Sequence, residues 1–432
     1  MLRSDWKEIL SEQQMQEEVT HPFGNEGRCT VYPESEEEIA EILRYANEKG
    51  LCVIPVGGGR KRHGGVRDKV DLQLSLSAMK GIVEHSAGDM VVTLRAGTKV
   101  REASEFLSHF GQMIPLDPPH PHRSTVGGVI AANESGPKRL RYGSARDHVL
   151  GMRVVLPNGQ IIRTGGKVVK NVAGYDMNKL LIGSMGTLGI ITEMTLKLRP
   201  LPKYESLILL SFSRNDIQVL QDYVRTLLDS PLEPVSLELL SPALSQKLTG
   251  MDGYTLVVAF EDVEPAVRDQ EAWVLSHRPA GTERQILRQE EAAVWWGEFV
   301  SIPPQTAIND PQGADVALKI GSLNRDVPAI LSFCDQHHGR ALAVEAHGGG
   351  GHGITRVFLK GDEGDIAMFV QEMRAFLKQR GGYAVVQHAP LSFRRRVDVW
   401  GEKPASFPLM EGIKRAFDPH QILNPNRFVG GL

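Results

Sequence analysis

The stretch Val53-Ile-Pro-Val-Gly-Gly-Gly-Arg-Lys-Arg-His-Gly-Gly65 restricts the fold of this chain more than any other, because an apolar run ends there in five glycines and three cations. Glycine lets a backbone turn through positive φ and approach a ligand closely, and successive N–H groups in such a turn form a concavity for an anion. Upstream, Thr30-Val-Tyr-Pro33 reads as a short strand and Ser35-Glu-Glu-Glu38 has the spacing of a capping box. Ile39, Ile42, Leu43 and Ala46 recur at helical spacing, and Gly50 stands where a helix-ending glycine belongs. Residues 51–56 form the next strand, so the glycine loop closes a β-α-β unit. It lacks both the lysine and Ser/Thr pair of a P-loop and G-x-G-x-x-G spacing, and taken alone it is as readily a plain turn as a phosphate cradle.

Further glycine clusters follow. Residues 70–76 and 90–96 read as strands, and Val100, Ala103, Phe106, Leu107 and Phe110 form a helix stripe ended by Gly111. Pro118-Pro-His-Pro-His-Arg-Ser-Thr-Val-Gly-Gly128 leads into the small-residue run Val129-Ile-Ala-Ala-Asn-Glu-Ser-Gly136, which leaves room for a flat, bulky ligand against the backbone. Arg141-Tyr-Gly-Ser-Ala-Arg-Asp147 comes next, then a hairpin turning at Pro157-Asn-Gly159. Gly165-Gly-Lys-Val-Val-Lys-Asn-Val-Ala-Gly-Tyr-Asp176 precedes a helix over 179–184, the turn Gly186-Thr-Leu-Gly189 and a strand over 190–198 whose alternation predicts one wet face.

Arg199-Pro-Leu-Pro202 marks a domain boundary, beyond which a β-α-β-β-α-β pattern runs twice, the second copy more clearly than the first. Such units build antiparallel sheets with helices on one side. The expected organisation is a polar amphipathic helix over 1–22, a ligand-binding domain over 23–202, an α+β cap over 203–400 and a tail over 401–432 that returns to the first domain. Its Phe417-Asp-Pro-His-Gln-Ile-Leu-Asn-Pro-Asn426 is stiffened by two prolines.

A net charge of −3 over 432 residues argues against nucleic acid as the main partner. Cys29, Cys52 and Cys334 are too few and too scattered for a disulfide framework or an iron–sulfur cluster. No run of about 18 apolar residues occurs, and the first twenty residues lack a signal-peptide core. These features predict a cytoplasmic protein, meeting the inner face of a membrane only through partners.

Pro55-Val-Gly-Gly-Gly59, Thr125-Val-Gly-Gly128, Tyr142-Gly143 with Arg146-Asp147, Val149-Leu-Gly151, the Asn-Gly hairpin and Gly186-Thr-Leu-Gly-Ile-Ile-Thr192, in this order, together resemble the flavin-binding domain of the vanillyl-alcohol oxidase class. Gly166-Lys-Val-Val-Lys-Asn-Val-Ala-Gly-Tyr-Asp176 and the Asp-Pro…Ile-Leu-Asn-Pro ending at 418–425 narrow the likeness to the FAD-binding subunits of bacterial glycolate oxidase complexes. The resemblance implies a two-part α+β FAD-binding domain with an antiparallel α+β cap. It also implies non-covalent FAD, a small 2-hydroxy acid substrate such as glycolate or D-lactate, a sister flavoprotein subunit and an iron–sulfur subunit. A stand-alone D-lactate-type dehydrogenase and a non-catalytic assembly subunit are the alternatives.

The resemblance places FAD against Val56, Gly57, Gly58, Gly59, Arg60, Gly64, Thr125, Gly127, Gly128, Ser135, Gly136, Gly143, Asp147, Gly189, Ile191 and Thr192. Some relatives attach flavin through a histidine near these loops; His63, His120 and His122 are candidates, with ordinary loop histidines the preferred reading. For catalysis the candidates are His347, His388 and Arg395, since arginine's planar fork suits a carboxylate and a histidine suits removal of a hydroxyl proton. His347-Gly-Gly-Gly-Gly-His-Gly353, with Glu345 nearby, suggests a metal turn, but no second histidine–glycine motif completes the set and no metal is expected.

Overall fold

The computed structural model describes residues 9–17, 26–59, 69–166, 174–304 and 314–432. Arg60, His63, Gly64 and most of the 165–176 stretch lie outside them.

The first domain begins with strands β1 (Met15–Glu17), β2 (Glu26–Val31), β3 (Val53–Val56) and β4 (Lys69–Ser75), ordered β1-β2-β4-β3. β2, β4 and β3 run parallel, and β1 pairs antiparallel with the edge at β2. This corrects the helix expected over 1–22: at 12–17 the chain makes a 3-10 turn and an edge strand, because Met15 and Gln16 find ladder partners in Val31 and Thr30. The helix Glu36–Lys49 begins where predicted, with the Ser35 side chain accepting from the Glu38 N–H, and ends at Gly50 with φ of 65°. Such an N-cap is worth about 1 kcal/mol.

Later segments supply β5 (Ile82–Ser86), β6 (Val91–Arg95), β7 (Gln112–Met113), β8 (Val149–Val155), β9 (Ile161–Gly165), β10 (Ile190–Lys197) and β11 (Arg199–Pro200). An antiparallel sheet runs β5-β6-β10-β8-β9, and β7 pairs with β11. Of the wet face expected on the 190–198 strand, Lys197 is exposed and Glu193 half-buried, but Thr195 is not wet. β10 is central, Thr192 is fully buried and Thr195 nearly so, and their hydroxyls are satisfied inside the protein. Thr192 bonds the Arg153 carbonyl and the Glu36 carboxylate, while Glu36 also pairs with Arg153. The polar face of the sheet is thereby tied to the helix of the other half.

The cap is one eight-stranded antiparallel sheet made of β12 (Tyr204–Phe212), β13 (Ser236–Leu240), β14 (Tyr254–Asp262), β15 (Glu283–Arg288), β16 (Val316–Gly321), β17 (Leu342–Gly349), β18 (Ile354–Gly361) and β19 (Tyr383–His388). Its order, β15-β12-β14-β13-β17-β18-β16-β19, joins two β-α-β-β-α-β halves through β13 and β17. Helices Ile217–Leu228, Glu264–His277, Val327–His337 and Glu363–Lys378 cover one face, around a core including Leu210, Leu256, Ile320, Val357 and Phe369. On the other face, Leu207, Leu209, Val257 and Leu240 pack with Trp295, Trp296 and Phe299 of the helix Glu290–Phe299 and with Tyr142 of the first domain. Strands buried on both faces need continuous apolar runs, which is why β12 and β14 show no alternation.

The two domains are also bolted by charge. Lys138 Nζ donates to Glu205 at 3.0 Å and to Glu261, and the Tyr142 hydroxyl donates to Glu261.

Candidate active site

A cleft of about 940 Å³, counting its open mouth, is lined by Pro55 to Gly59, Ser124, Thr125, Gly127 to Val129, Ala131, Ala132, Glu134, Met185, Gly186, Gly189 to Ile191, Asn424 and Arg427, together with Leu76. Its walls are mostly backbone and small side chains. The N–H groups of Gly57 and Gly58 donate to no described residue, whereas those of Val126 and Gly127 are used by the Thr98 and Ala96 carbonyls. A Cβ on Gly57 would stand 2.2 Å from Thr125 Oγ1, and one on Gly58 would stand 1.9 Å from the Arg123 carbonyl. These positions are held to glycine by close packing, and they put main chain on the cleft wall, as a phosphate cradle requires. A cofactor with a pyrophosphate and flat rings fits this wall.

The C-terminal tail finishes the cleft. Val53 N–H donates to the Ile422 carbonyl at 2.7 Å and Asn424 N–H donates to the Val53 carbonyl at 2.9 Å, adding a short parallel bridge beside β3. Asp418 accepts from the Ile422 and Leu423 amides, and Lys414 Nζ donates to Asp418, to the Thr187 carbonyl and to the Leu423 carbonyl. All three ammonium hydrogens are thus engaged in a buried site, where desolvation lowers the lysine's proton affinity.

Of the residues expected to bind cofactor, Val56, Gly57, Gly58, Gly59, Thr125, Gly127, Gly128, Gly189 and Ile191 line this cleft. Ser135, Gly136, Gly143, Asp147 and Thr192 do not. Ser135 Oγ accepts from Arg139, and the Gly136 amide donates to Asp117, whose backbone would clash with any Cβ there. Asp147 accepts from the Ser144 amide at 2.7 Å across the turn that Gly143 opens with φ of 83°, so these two shape the chain and stay clear of the cleft. Thr192 is spent on Glu36 and Arg153. Arg60 and Gly64 lie outside the described residues. Asn424, Arg427 and Met185 escaped the sequence reading; the stiff Ile-Leu-Asn-Pro signal pointed to the segment without naming the side chains.

A second, smaller cavity of about 400 Å³ adjoins the cleft through Glu134, which lines both. The cap contributes Arg356, Phe358, Gln387, His388, Ala317 and Leu318, and Pro119, Pro303 and Pro304 close it. Arg356 Nη1 donates to Gln387 Oε1 at 2.6 Å, while Nη2 donates to the Ser135 carbonyl at 3.2 Å and to the Glu134 carboxylate. His388 also lines this cavity. Arg395 does not line it; the side chain is exposed on the helix Leu391–Arg396, and the cavity's arginine is Arg356. A charged residue inside the apolar run of β18 was the missed signal.

His347 sits one layer behind. It occupies the end of β17, paired with Leu240 of β13 on one side and Arg356 of β18 on the other, ahead of the turn at 350–352. Its Nδ1 lies 2.6 Å from Glu238 Oε1, and its ring meets Phe299 at 4.7 Å and the cavity-lining Phe358 at 5.8 Å. Burial pushes Glu238 up to about 7 and His347 down to about 3, so the imidazole stays neutral and the carboxyl proton is the one that exchanges near neutrality. Glu345, the carboxylate near in sequence, is engaged by Lys247 at 2.8 Å. No group of three His, Cys, Asp or Glu able to hold a metal occurs among the described residues. His120 is buried with Nε2 at 2.6 Å from the Pro303 carbonyl, and His122 is exposed.

A two-part domain with a glycine-walled cleft, finished by the tail and covered by an antiparallel cap, defines a flavoprotein of the two-part FAD-binding type. The chain matches the FAD binding domain model over residues 28–165 and the model for the C-terminal domain of FAD linked oxidases over residues 201–428. It belongs to the FAD-linked oxidase family, and FAD is its cofactor. It is 27% identical to glycolate oxidase subunit GlcD of Bacillus subtilis, across 92% of this chain and 88% of that one. It is 26% identical to a mitochondrial D-lactate dehydrogenase (cytochrome) of Arabidopsis thaliana, across 95% and 74%. The structure of p-cresol methylhydroxylase superposes with a TM-score of 0.77 at 17% identity, over 99% of this chain and 96% of that one, which shows the shared fold.

Proposed function

We propose that this protein is the FAD-binding subunit of a 2-hydroxy acid dehydrogenase complex, acting on a small acid such as glycolate or D-lactate. The observation that carries the proposal is the small cavity against the FAD cleft, where a guanidinium and an imidazole converge. Arg356 holds the substrate carboxylate, Gln387 fixes the plane of that guanidinium, and His388 takes the proton of the 2-hydroxyl as the C2–H bond breaks. Bound FAD supplies the acceptor for the hydride leaving C2. The product is the 2-oxo acid, with the hydroxyl proton on His388. The prolines and Phe358 exclude water, which strengthens the charge interactions inside.

Both named relatives support the substrate class, since one is a glycolate oxidase subunit and the other a D-lactate dehydrogenase. Onward transfer of electrons falls to a sister flavoprotein and an iron–sulfur subunit, because the three cysteines of this chain are dispersed. Among the described residues no helix is long and apolar enough to cross a membrane, so any membrane contact in this reading is made by those partners on the cytoplasmic side. FAD is held without a covalent bond, and acid precipitation of the holoprotein should leave the pellet colourless; a yellow pellet sinks that part.

The main test is anaerobic mixing of the purified, FAD-loaded chain with glycolate and with D-lactate while the flavin band is followed. Bleaching of the chain alone, with onward transfer to an external acceptor only when the partner subunits are added, is the expected result. Steady turnover with a soluble acceptor and no partner supports a stand-alone D-lactate-type dehydrogenase, a reading favoured by similarity along most of the chain to such enzymes. No bleaching by any 2-hydroxy acid, with or without partners, leaves FAD in a purely structural role and sinks the proposal.

A further inference from the structure

The cavity that Arg356 lines already contains a carboxylate belonging to the protein. Glu134 is 2% exposed and Arg356 7%, so their ion pair is shielded from water. Nη2 of Arg356 is occupied by Glu134 and the Ser135 carbonyl, and one hydrogen of Nη1 by Gln387. Nε and the second hydrogen of Nη1 have no acceptor among the described residues, although the side chain borders the cavity. One part of the guanidinium is therefore held by the protein, while Nε–H and one Nη1–H, which point along different edges of the fork, remain as single donors.

Resting on the 2-hydroxy acid reading above, we infer that Glu134 is the specificity-determining residue that makes this a monocarboxylate site. Arg356 and Glu134 cancel before any ligand enters. A short monocarboxylate adds one negative charge and takes one of the remaining donors. A dicarboxylate adds a second charge, and no other arginine or lysine is present among the described lining residues, which otherwise are three prolines, Ala317, Leu318, Phe358, Gln387 and His388. That second carboxylate is desolvated without a partner and repelled by Glu134, which disfavours it in a low-dielectric pocket. Glu134 thereby admits acids of the lactate type and rejects those of the 2-hydroxyglutarate type.

The test uses binding, not turnover. The full FAD-loaded chain, in its oxidised form, is titrated with pyruvate and with 2-oxoglutarate, and the dissociation constants are read from flavin difference spectra and calorimetry. Wild-type protein should favour pyruvate by about tenfold or more, and Glu134→Gln should shift the ratio about tenfold toward 2-oxoglutarate. Arg356→Met should weaken both ligands. Flavin content and melting temperature establish that Glu134→Gln is folded; if it is not, the wild-type preference alone decides. Equal wild-type affinities for the two acids, a ratio unmoved in a folded Glu134→Gln protein, or binding of neither acid overturns the inference. Bleaching by lactate with an unmoved ratio defeats the role of Glu134 alone. A shifted ratio in a protein that no hydroxy acid reduces defeats the proposed function and leaves the selectivity standing.

Discussion

The FAD cleft and the cavity beside it share Glu134, yet one is walled largely by backbone and the other by side chains reaching from separate strands. In the cleft, Gly57 and Gly58 leave no space for a Cβ, and their amides donate to no described residue. In the cavity, Arg356, Gln387 and His388 come from two strands of the cap, and the wall there is made by their side chains. The difference teaches that cofactor binding in this protein is all-or-none with respect to substitution, whereas choice of substrate can be graded.

The largest expected effect is therefore in the cleft. Gly58→Val, which drives a side chain into the Arg123 carbonyl, should abolish flavin retention, measured as the 450 nm absorbance per purified chain; a variant that stays yellow would falsify the backbone-wall account. Next comes the bolt that holds the tail. Lys414→Met strands a buried Asp418 and should cost about 3–5 kcal/mol in denaturant unfolding, with flavin lost in parallel. An unchanged midpoint would mean that the tail contributes nothing to the wall.

On the cavity side, Arg356→Met should retain FAD while weakening carboxylate binding by about 3 kcal/mol, on the order of 100-fold. Loss of flavin in this variant would erase the proposed division between the two sites. The smallest effect concerns Glu238, behind the cavity. Its raised affinity for a proton contributes stability that is present below pH 4.5 and is lost as pH rises through about 7. Glu238→Gln has no such loss, so the variant should gain roughly 2 kcal/mol relative to wild type between pH 5 and pH 8. Parallel pH profiles for the two proteins would show that Glu238 is charged throughout.

The same contrast explains what could be read from the sequence. Glycine clusters are local signals, because a cradle made of main chain is written in consecutive residues, and Val56 to Gly59 and Thr125 to Gly128 were legible for that reason. Helix Glu36–Lys49 announced itself through its capping serine and terminal glycine. Side chains that meet across strands carry no such mark. Glu238 and His347 are 109 positions apart, and Glu134 and Arg356 are 222 apart, so neither pairing could be inferred without the register of the cap sheet. Proximity in sequence instead suggested Glu345 and Arg395, which the strand pairing and the helix surface carry elsewhere. β13 and β15 also escaped notice: β13 is wholly buried and does not alternate, and β15 is a largely exposed edge.

The bridge between Val53 and Leu423 sets an order of events during synthesis. The glycine loop leaves the ribosome early, but the residues that complete its wall, Asn424 and Arg427, are translated some 370 positions later. Until they emerge, the cleft lacks the part of its wall that they supply and that the Lys414–Asp418 pair helps hold, so it is complete only once the chain has been made from Val53 to Arg427.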